Sequence, residues 1–390
     1  SKDFLTGMII DPDEEMLLAI AKTAMTGKSA EGERAHLAKL CLEVVEASRP
    51  EAVHIMTRTG APIADSFSPN GIVVGRQKIH SAMPTSLTHV KVALIDGGLE
   101  LDSFGQGVNL NLGSYSESLE YQKGRKEALK AMADHFIELG TNLVLVTKNI
   151  DPWVAEYLAR NNVVASRRCA ASNLEAIAQA TNGLIVSGYE DLEEEDLGVA
   201  GSMEEIIQEG QPPFMLLHDT PNDDAASLVI CAPTEEVANE IRRAMDDAMG
   251  VVWVAKNDGK IVPGGSAPQI EMAHHLRNYA ASVGGRESLA VSAFAEALEI
   301  VPRTLAENAG LSPIDTLMEL RKAHSGGKDS SMCYGLNVYS GEVVDMLKEG
   351  VIEPEKVVRQ AMESATETAV MVLRIDDIIS AKEPEIEDLV

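Results

Sequence analysis

Aromatic side chains are scarce, at 4% of 390 residues. That argues against a β-sandwich filled by large rings and suits helices packed through Ala, Val, Leu and Met. Only four cysteines occur, Cys41, Cys169, Cys231 and Cys333, far apart and with no C-x-x-C. A disulfide framework or a zinc ribbon is therefore not expected, and a reducing compartment is. Positive charge is short: 33 Lys and Arg face 61 Asp and Glu, a net charge of −28. Such a surface repels phosphate backbones and anionic headgroups, which disfavours nucleic-acid and membrane-surface roles. No apolar run reaches the roughly 18 residues of a membrane span. The opening SKDFLTGMII lacks the basic region and long apolar stretch of a secretion signal. These absences read together as a cytoplasmic protein.

What is present is a soluble globular composition, 45% hydrophobic and 24% charged, long enough for two or three domains. Asp11, Pro12 and Glu14 have the spacing of a helix-opening capping box. Leu37, Leu40, Cys41, Val44 and Val45 recur at helical spacing on one apolar face. From about residue 55 the texture changes to short β-like runs at 71–74, 92–95, 142–146, 162–165, 184–186 and 214–217, with helical stretches at 126–139 and 172–180 between them. This alternation indicates an α/β domain. A polar excursion from Leu99 to Tyr121 interrupts it. After Val229-Ile230-Cys231 the pattern is helical again, over 235–249, 267–283, 287–301, 314–323 and 357–373, before an acidic tail at 383–390. An α/β insert between two helical parts predicts that residues before 50 return to pack with residues after 230.

The stretch IVPGGSAPQIE, Ile261 to Glu271, places Gly264, Gly265 and Ser266 just before a helix. Glycines there let a backbone approach a phosphate. No Lys follows, so this is neither a P-loop nor a G-x-G-x-x-G turn. From the residues alone, a nucleotide contact and a tight turn both remain open. The adjacent His274 and His275 point in different directions on a helix and do not make a metal pair, and no metal-ligand set is assigned. The many methionines are read as core and adaptable contact surface.

SVGGRESLAVSAFAEALEIVPRTLAENAGLSPIDTL (Ser282 to Leu317) resembles the C-terminal equatorial segment of the group II chaperonins, the archaeal thermosome subunits. GLNVYSGEVVDMLKEGVIEP (Gly335 to Pro354), VLRIDDII (Val372 to Ile379), AKTAMTGKSAE (Ala21 to Glu31), RTGAPIADS (Arg58 to Ser66) and EEDLG (Glu194 to Gly198) are also similar, in the family's order. The resemblance implies a multidomain α and α/β chaperonin architecture. The equatorial part would be mainly α-helical, the intermediate domain small and α/β, and the inserted apical domain α/β with a lid protrusion. It places the end of the N-terminal equatorial and intermediate segment at 1–54, the apical domain at 55–227 with its protrusion near 99–139, the second intermediate segment at 228–262 and the C-terminal equatorial half at 263–390.

The activity implied is ATP hydrolysis that drives closure of a folding chamber, with other chaperonin subunits in a double ring and unfolded client polypeptides as partners, and ATP or ADP with Mg²⁺ as cofactors. A truncated, ATP-independent client-binding holdase is the alternative. By resemblance, Asp247 orients the attacking water, a carboxylate's task in line with a γ-phosphate. Without the resemblance it is a solvated helix Asp beside Asp246. Gly264, Gly265 and Ser266 contact nucleotide by backbone, Ser266 standing where the family usually has a third Gly. Lys28 senses the nucleotide, Glu353 accepts from ribose hydroxyls, and Gly335 and Asn337 lie around the adenine. No D-G-T run occurs, so the family's phosphate loop and most Mg²⁺ ligands are expected in a segment that precedes residue 1 in relatives.

Overall fold

The computed structural model describes residues 9–27, 31–101, 115–207, 211–222, 225–326 and 332–375. The chain divides into two compact units, one of Ser1–Thr23 with Val254–Val390 and the other of Ala24–Trp253. The first unit thus joins the chain's start to its end, around an insert. Lys28, most of the polar excursion and the acidic tail lie outside the described residues.

Helix α1 (Glu14–Ala24) opens the chain. Its cap differs from the expected one: the Asp13 carboxylate, not that of Asp11, accepts the Met16 N–H at 2.8 Å. Pro12 then precedes the cap, and Glu14 and Glu15 sit in the first turn, where the positive helix end favours carboxylates.

The insert carries α2 (Arg34–Ala47), β1 (Val53–Thr59), β2 (Ile72–Val74), β3 (Ser86–Ile95), α3 (Tyr115–Glu138), β4 (Leu143–Val146), α4 (Pro152–Arg160), β5 (Val164–Ser166), α5 (Ala171–Thr181), β6 (Ile185–Val186), β7 (Gly198–Ile206), β8 (Phe214–His218), β9 (Ala226–Ala232) and most of α6 (Glu235–Asp258). β1 and β9 pair in parallel, Val53 opposite Ala226, and the apolar face read in α2 is buried. The larger sheet runs β2-β8-β7-β3-β4-β5, with β6 also beside β3. β3, β4 and β5 are parallel neighbours joined through helices. Parallel strands covered on both faces need near-continuous apolar runs: Val92 to Ile95 and Leu143 to Val146 are fully buried, against Met132, Ala133 and Phe136 of α3. α4 begins as its sequence dictates, with Pro152 at the first position and the Asp151 carboxylate accepting from Trp153 N–H at 2.8 Å.

The other unit holds β10 (Ile261–Pro263), α7 (Ala267–Val283), α8 (Gly285–Leu298), α9 (Ile300–Asn308), α10 (Pro313–His324), β11 (Tyr334–Leu336), β12 (Val343–Asp345), β13 (Ile352–Pro354) and α11 (Glu355–Leu373). The helix expected over 287–301 is in fact two, parted at Glu299. Pro302 explains the break, because its ring would meet the Leu298 carbonyl in a continuous helix, whereas the first turn of a new one tolerates it. The apolar face formed by Val291, Phe294, Leu298 and Val301 is only partly covered. Phe294 and Val301 remain 38% and 48% exposed and, with Leu298, Met362, Val370 and Leu373, line a groove of about 410 Å³.

The break also turns Glu299 inward, where it is fully buried. Both carboxylate oxygens are held twice: by Arg277 of α7 at 2.5 Å each, and by Arg321 of α10 at 2.7 and 2.5 Å. Burial alone would raise this carboxyl, but the hydrogen bonds from Arg321 and Arg277 outweigh it and hold it below the ordinary carboxylate range. A depressed carboxyl contributes stability that is present above its unfolded value and is lost as pH falls through the folded one. Glu299→Ala should therefore destabilise this unit by roughly 2–3 kcal/mol at neutral pH, less than a fully buried pair because both arginines keep solvent contact. In thermal melts the difference from the parent should shrink as pH drops below 4.5.

Candidate functional site

Three segments distant in sequence meet within the first unit. β10 and β13 are antiparallel, with Val262 opposite Glu353. Pro263 ends β10, and Gly264-Gly265-Ser266 leads into α7, where Pro268 occupies the opening turn. Gly264 N–H donates to Val351 O at 2.8 Å, and Leu336 N–H of β11 donates to Gly265 O at 2.9 Å. The turn is thereby tied to the approach of β13 on one side and to β11 on the other.

These ties are what require glycine. Gly265 has φ +61°, and a Cβ there would lie 2.6 Å from Met346 Sδ. A Cβ at Gly335 would lie 2.7 Å from Gly264 O and 2.8 Å from Gly265 O. Side chains at either position would push β11 off the turn. Ser266 follows at φ 65° as the helix cap, with no side-chain cap hydrogen bond. A left-handed non-glycine residue costs about 1 kcal/mol, so Ser266 carries strain that a glycine would not.

Glu353 is a strand residue rather than the turn carboxylate that its place before Pro354 suggests. Burial pushes its carboxyl up to about 7. Among the described residues no ion pair or hydrogen bond reaches that carboxylate, and burial is the one cause of its shift. A half-buried carboxyl in this state matches donors such as hydroxyl groups. Asn337 closes the β11–β12 hairpin: its Oδ1 accepts from Tyr339 and Ser340 N–H at 3.0 and 3.3 Å, and its amide donates to Glu349 at 3.2 Å. Its side chain therefore shapes the hairpin.

Gly264, Gly265, Ser266 and Gly335 are thus brought together, while Asn337 turns into its own hairpin and Glu353 lies two residues past the Val351 that holds the turn. Asp247 is an exposed residue of α6 in the other unit. Its neighbour Asp246 has its carboxyl raised by burial, opposed by Arg242 and reinforced by the Asp247 charge. Among the described residues, no cluster of three or more His, Cys, Asp or Glu could hold a metal ion, and no helix is long and apolar enough to cross a membrane.

Sequence reasoning passed over a second group beside the turn. Glu271, on the first turns of α7, is buried and bonded to the buried His324 of α10. The signal was available: Glu271 falls among the apolar positions of its helix, beside Ile270 and Met272, where a carboxylate needs a partner. His274 and His275 drew attention instead, on the more exposed side.

Two substitutions test this geometry. Ser266→Gly should raise unfolding stability by up to about 1 kcal/mol, read as a higher thermal midpoint. A carboxyl raised on folding contributes stability below its unfolded value and loses it as pH rises through the folded one. Glu353→Gln should therefore stabilise the protein by up to about 3 kcal/mol at pH 8 and very little at pH 4, measured by denaturant unfolding at both.

Residues 3–383 match the TCP-1/cpn60 chaperonin family. Thermosome subunit 1 of Haloferax volcanii is 41% identical over 379 residues, covering 96% of this chain and 67% of that protein. A thermosome subunit of Methanocaldococcus jannaschii is 41% identical over 378 residues, 95% of this chain and 69% of its own length. An open-state monomer of a group II chaperonin from Methanococcoides burtonii superposes with a TM-score of 0.72 at 34% identity, over 96% of this chain and 89% of that one. Matched over residues 3–383 and about 40% identical to thermosome subunits, the chain belongs to the TCP-1/cpn60 chaperonin family, on its group II side, as an ATP-dependent protein-folding chaperone.

Proposed function

We propose that nucleotide is seated against Gly264, Gly265 and Ser266, and that its turnover drives the enclosure of unfolded polypeptide by a ring of such subunits. The convergence of the glycine turn, the β11–β12 hairpin and Glu353 in one unit carries this reading. In it, the turn supplies backbone to the phosphates. Glu353 accepts from the ribose hydroxyls, which suit a carboxyl that burial has raised to about 7. The hairpin at Gly335 and Asn337 borders the base.

Asp247 orients the attacking water in line with the γ-phosphate, and Lys28 reports the nucleotide state by one charge-assisted contact. Mg²⁺ would neutralise charge on the phosphates; the described residues offer it no ligand cluster, and no step here is routed through it.

On this reading residues 1–54 are the end of the N-terminal equatorial and intermediate segment, 55–227 the apical domain, 228–262 the second intermediate segment and 263–390 the C-terminal equatorial half. Closure is a hinge motion at the crossings near residues 50 and 230. The partners are other subunits in a double ring and unfolded clients in the cytoplasm. The acidic surface, at −28, keeps nucleic acid and anionic membranes out of that set.

Asp247→Ala should lower ATP turnover by about 10²-fold or more and leave nucleotide affinity unchanged, measured by phosphate release and by calorimetric titration. Unchanged turnover would remove Asp247 from the mechanism. Absence of nucleotide binding to the parent would favour a client-binding holdase.

A further inference from the structure

β11 has two edges. Cys333 O and Asn337 N–H face the β12 side, meeting Met346 N–H and Glu342 O. Tyr334 and Leu336 face the opposite way, as alternate residues of a strand do. On that second edge two bonds hold the strand. Leu336 N–H donates to Gly265 O at 2.9 Å. Tyr334 O accepts from His324 Nε2 at 2.7 Å. His324 Nδ1 lies 2.5 Å from Glu271 Oε2. Both anchors therefore originate at the start of α7: Gly265 directly, and Glu271 through the imidazole.

The proton count of this bridge is set by its partners. A carbonyl only accepts, so His324 Nε2 carries a hydrogen. A carboxylate facing a bare Nδ1 would set two lone pairs against each other. A second proton must therefore lie between Nδ1 and Glu271, and the pair is held as imidazolium with carboxylate or as imidazole with carboxylic acid. Both side chains are buried, His324 at 2% and Glu271 at 6% exposed. In such surroundings a satisfied bridge is stiff and a broken one leaves costly orphans. The neighbouring cations do not compete for Glu271, since Arg277 of α7 and Arg321 of α10 both turn to Glu299.

We propose that Glu271 and His324 are positioning residues of the nucleotide site. Their proton-sharing bridge fixes β11 against the Gly264–Ser266 turn, so that the base-side hairpin and the phosphate-side turn keep one spacing. The inference rests on the nucleotide-site reading given above. It assigns no contact with nucleotide to either side chain.

The test is nucleotide affinity in the full chain, by calorimetric titration with ADP and with a slowly hydrolysed ATP analogue, at a temperature where circular dichroism shows every variant folded. Glu271→Ala and His324→Ala should each weaken binding by about tenfold or more. Glu271→Gln should bind within about twofold of the parent, because its amide N–H can donate to Nδ1 while Nε2–H still reaches Tyr334 O. Arg277→Ala, which loosens the Glu299 clamp elsewhere in the same unit, should lower the thermal midpoint without changing affinity. The inference is overturned if the two alanine variants bind as tightly as the parent, if Glu271→Gln is as weak as Glu271→Ala, or if Arg277→Ala weakens binding equally. No binding by the unsubstituted chain would instead remove the site reading itself, and the inference with it.

Discussion

The close approach of backbone to backbone at Gly264, Gly265 and Gly335 is the constraint on which the unit that joins the chain's start to its end depends. Gly335 lies so near the carbonyls of Gly264 and Gly265 that a methyl group would stand under 3 Å from both. That proximity lets Leu336 bond to Gly265, while Gly264 N–H bonds to Val351 O just before β13, whose Glu353 stands opposite Val262. Two stretches of chain, the turn and β11, lie backbone to backbone there because glycines leave room for it. The glycines therefore have a structural task, holding strand against turn.

Interior charge is organised differently from the acidic surface. Buried carboxylates are placed where a cation or an imidazole reaches them: Glu299 between Arg277 and Arg321, Glu271 against His324, Glu355 against Arg359, and Glu205 against Lys78. Such pairs add less to stability than their geometry suggests, because desolvation opposes the attraction. They do fix which helix meets which, since a misplaced partner leaves a charge alone in the interior. Glu353 is the departure from this rule. Half-buried in its strand and without a charged partner among the described residues, its carboxyl is pushed up to about 7.

Much of the architecture was legible from periodicity. The helix read at 267–283 is α7 at the same bounds, and the apolar runs of the insert became strands in the expected order. The chain's start also returned to its end, with the division after Thr23 and before Val254 rather than near 50 and 230. The misreadings have local causes. Asp13 took the cap from Asp11 because Pro12, with its fixed φ, suits the position before the cap as well as the one after it. The helix over 287–301 broke at Glu299 because hydrophobic spacing carries on smoothly past a proline whose ring cannot.

The sequence by itself determined the family, the order of helical and α/β parts and the residue types of the site, because periodicity and motifs are properties of neighbours along the chain. Only the tertiary structure decided that Glu353 stands in a strand opposite Val262, that Asn337 closes a hairpin, and that Glu271 meets His324. Those contacts join residues tens of positions apart. Their partners are selected by packing space and by the cost of leaving a buried polar group unpaired, and neither quantity is written in any local stretch of sequence.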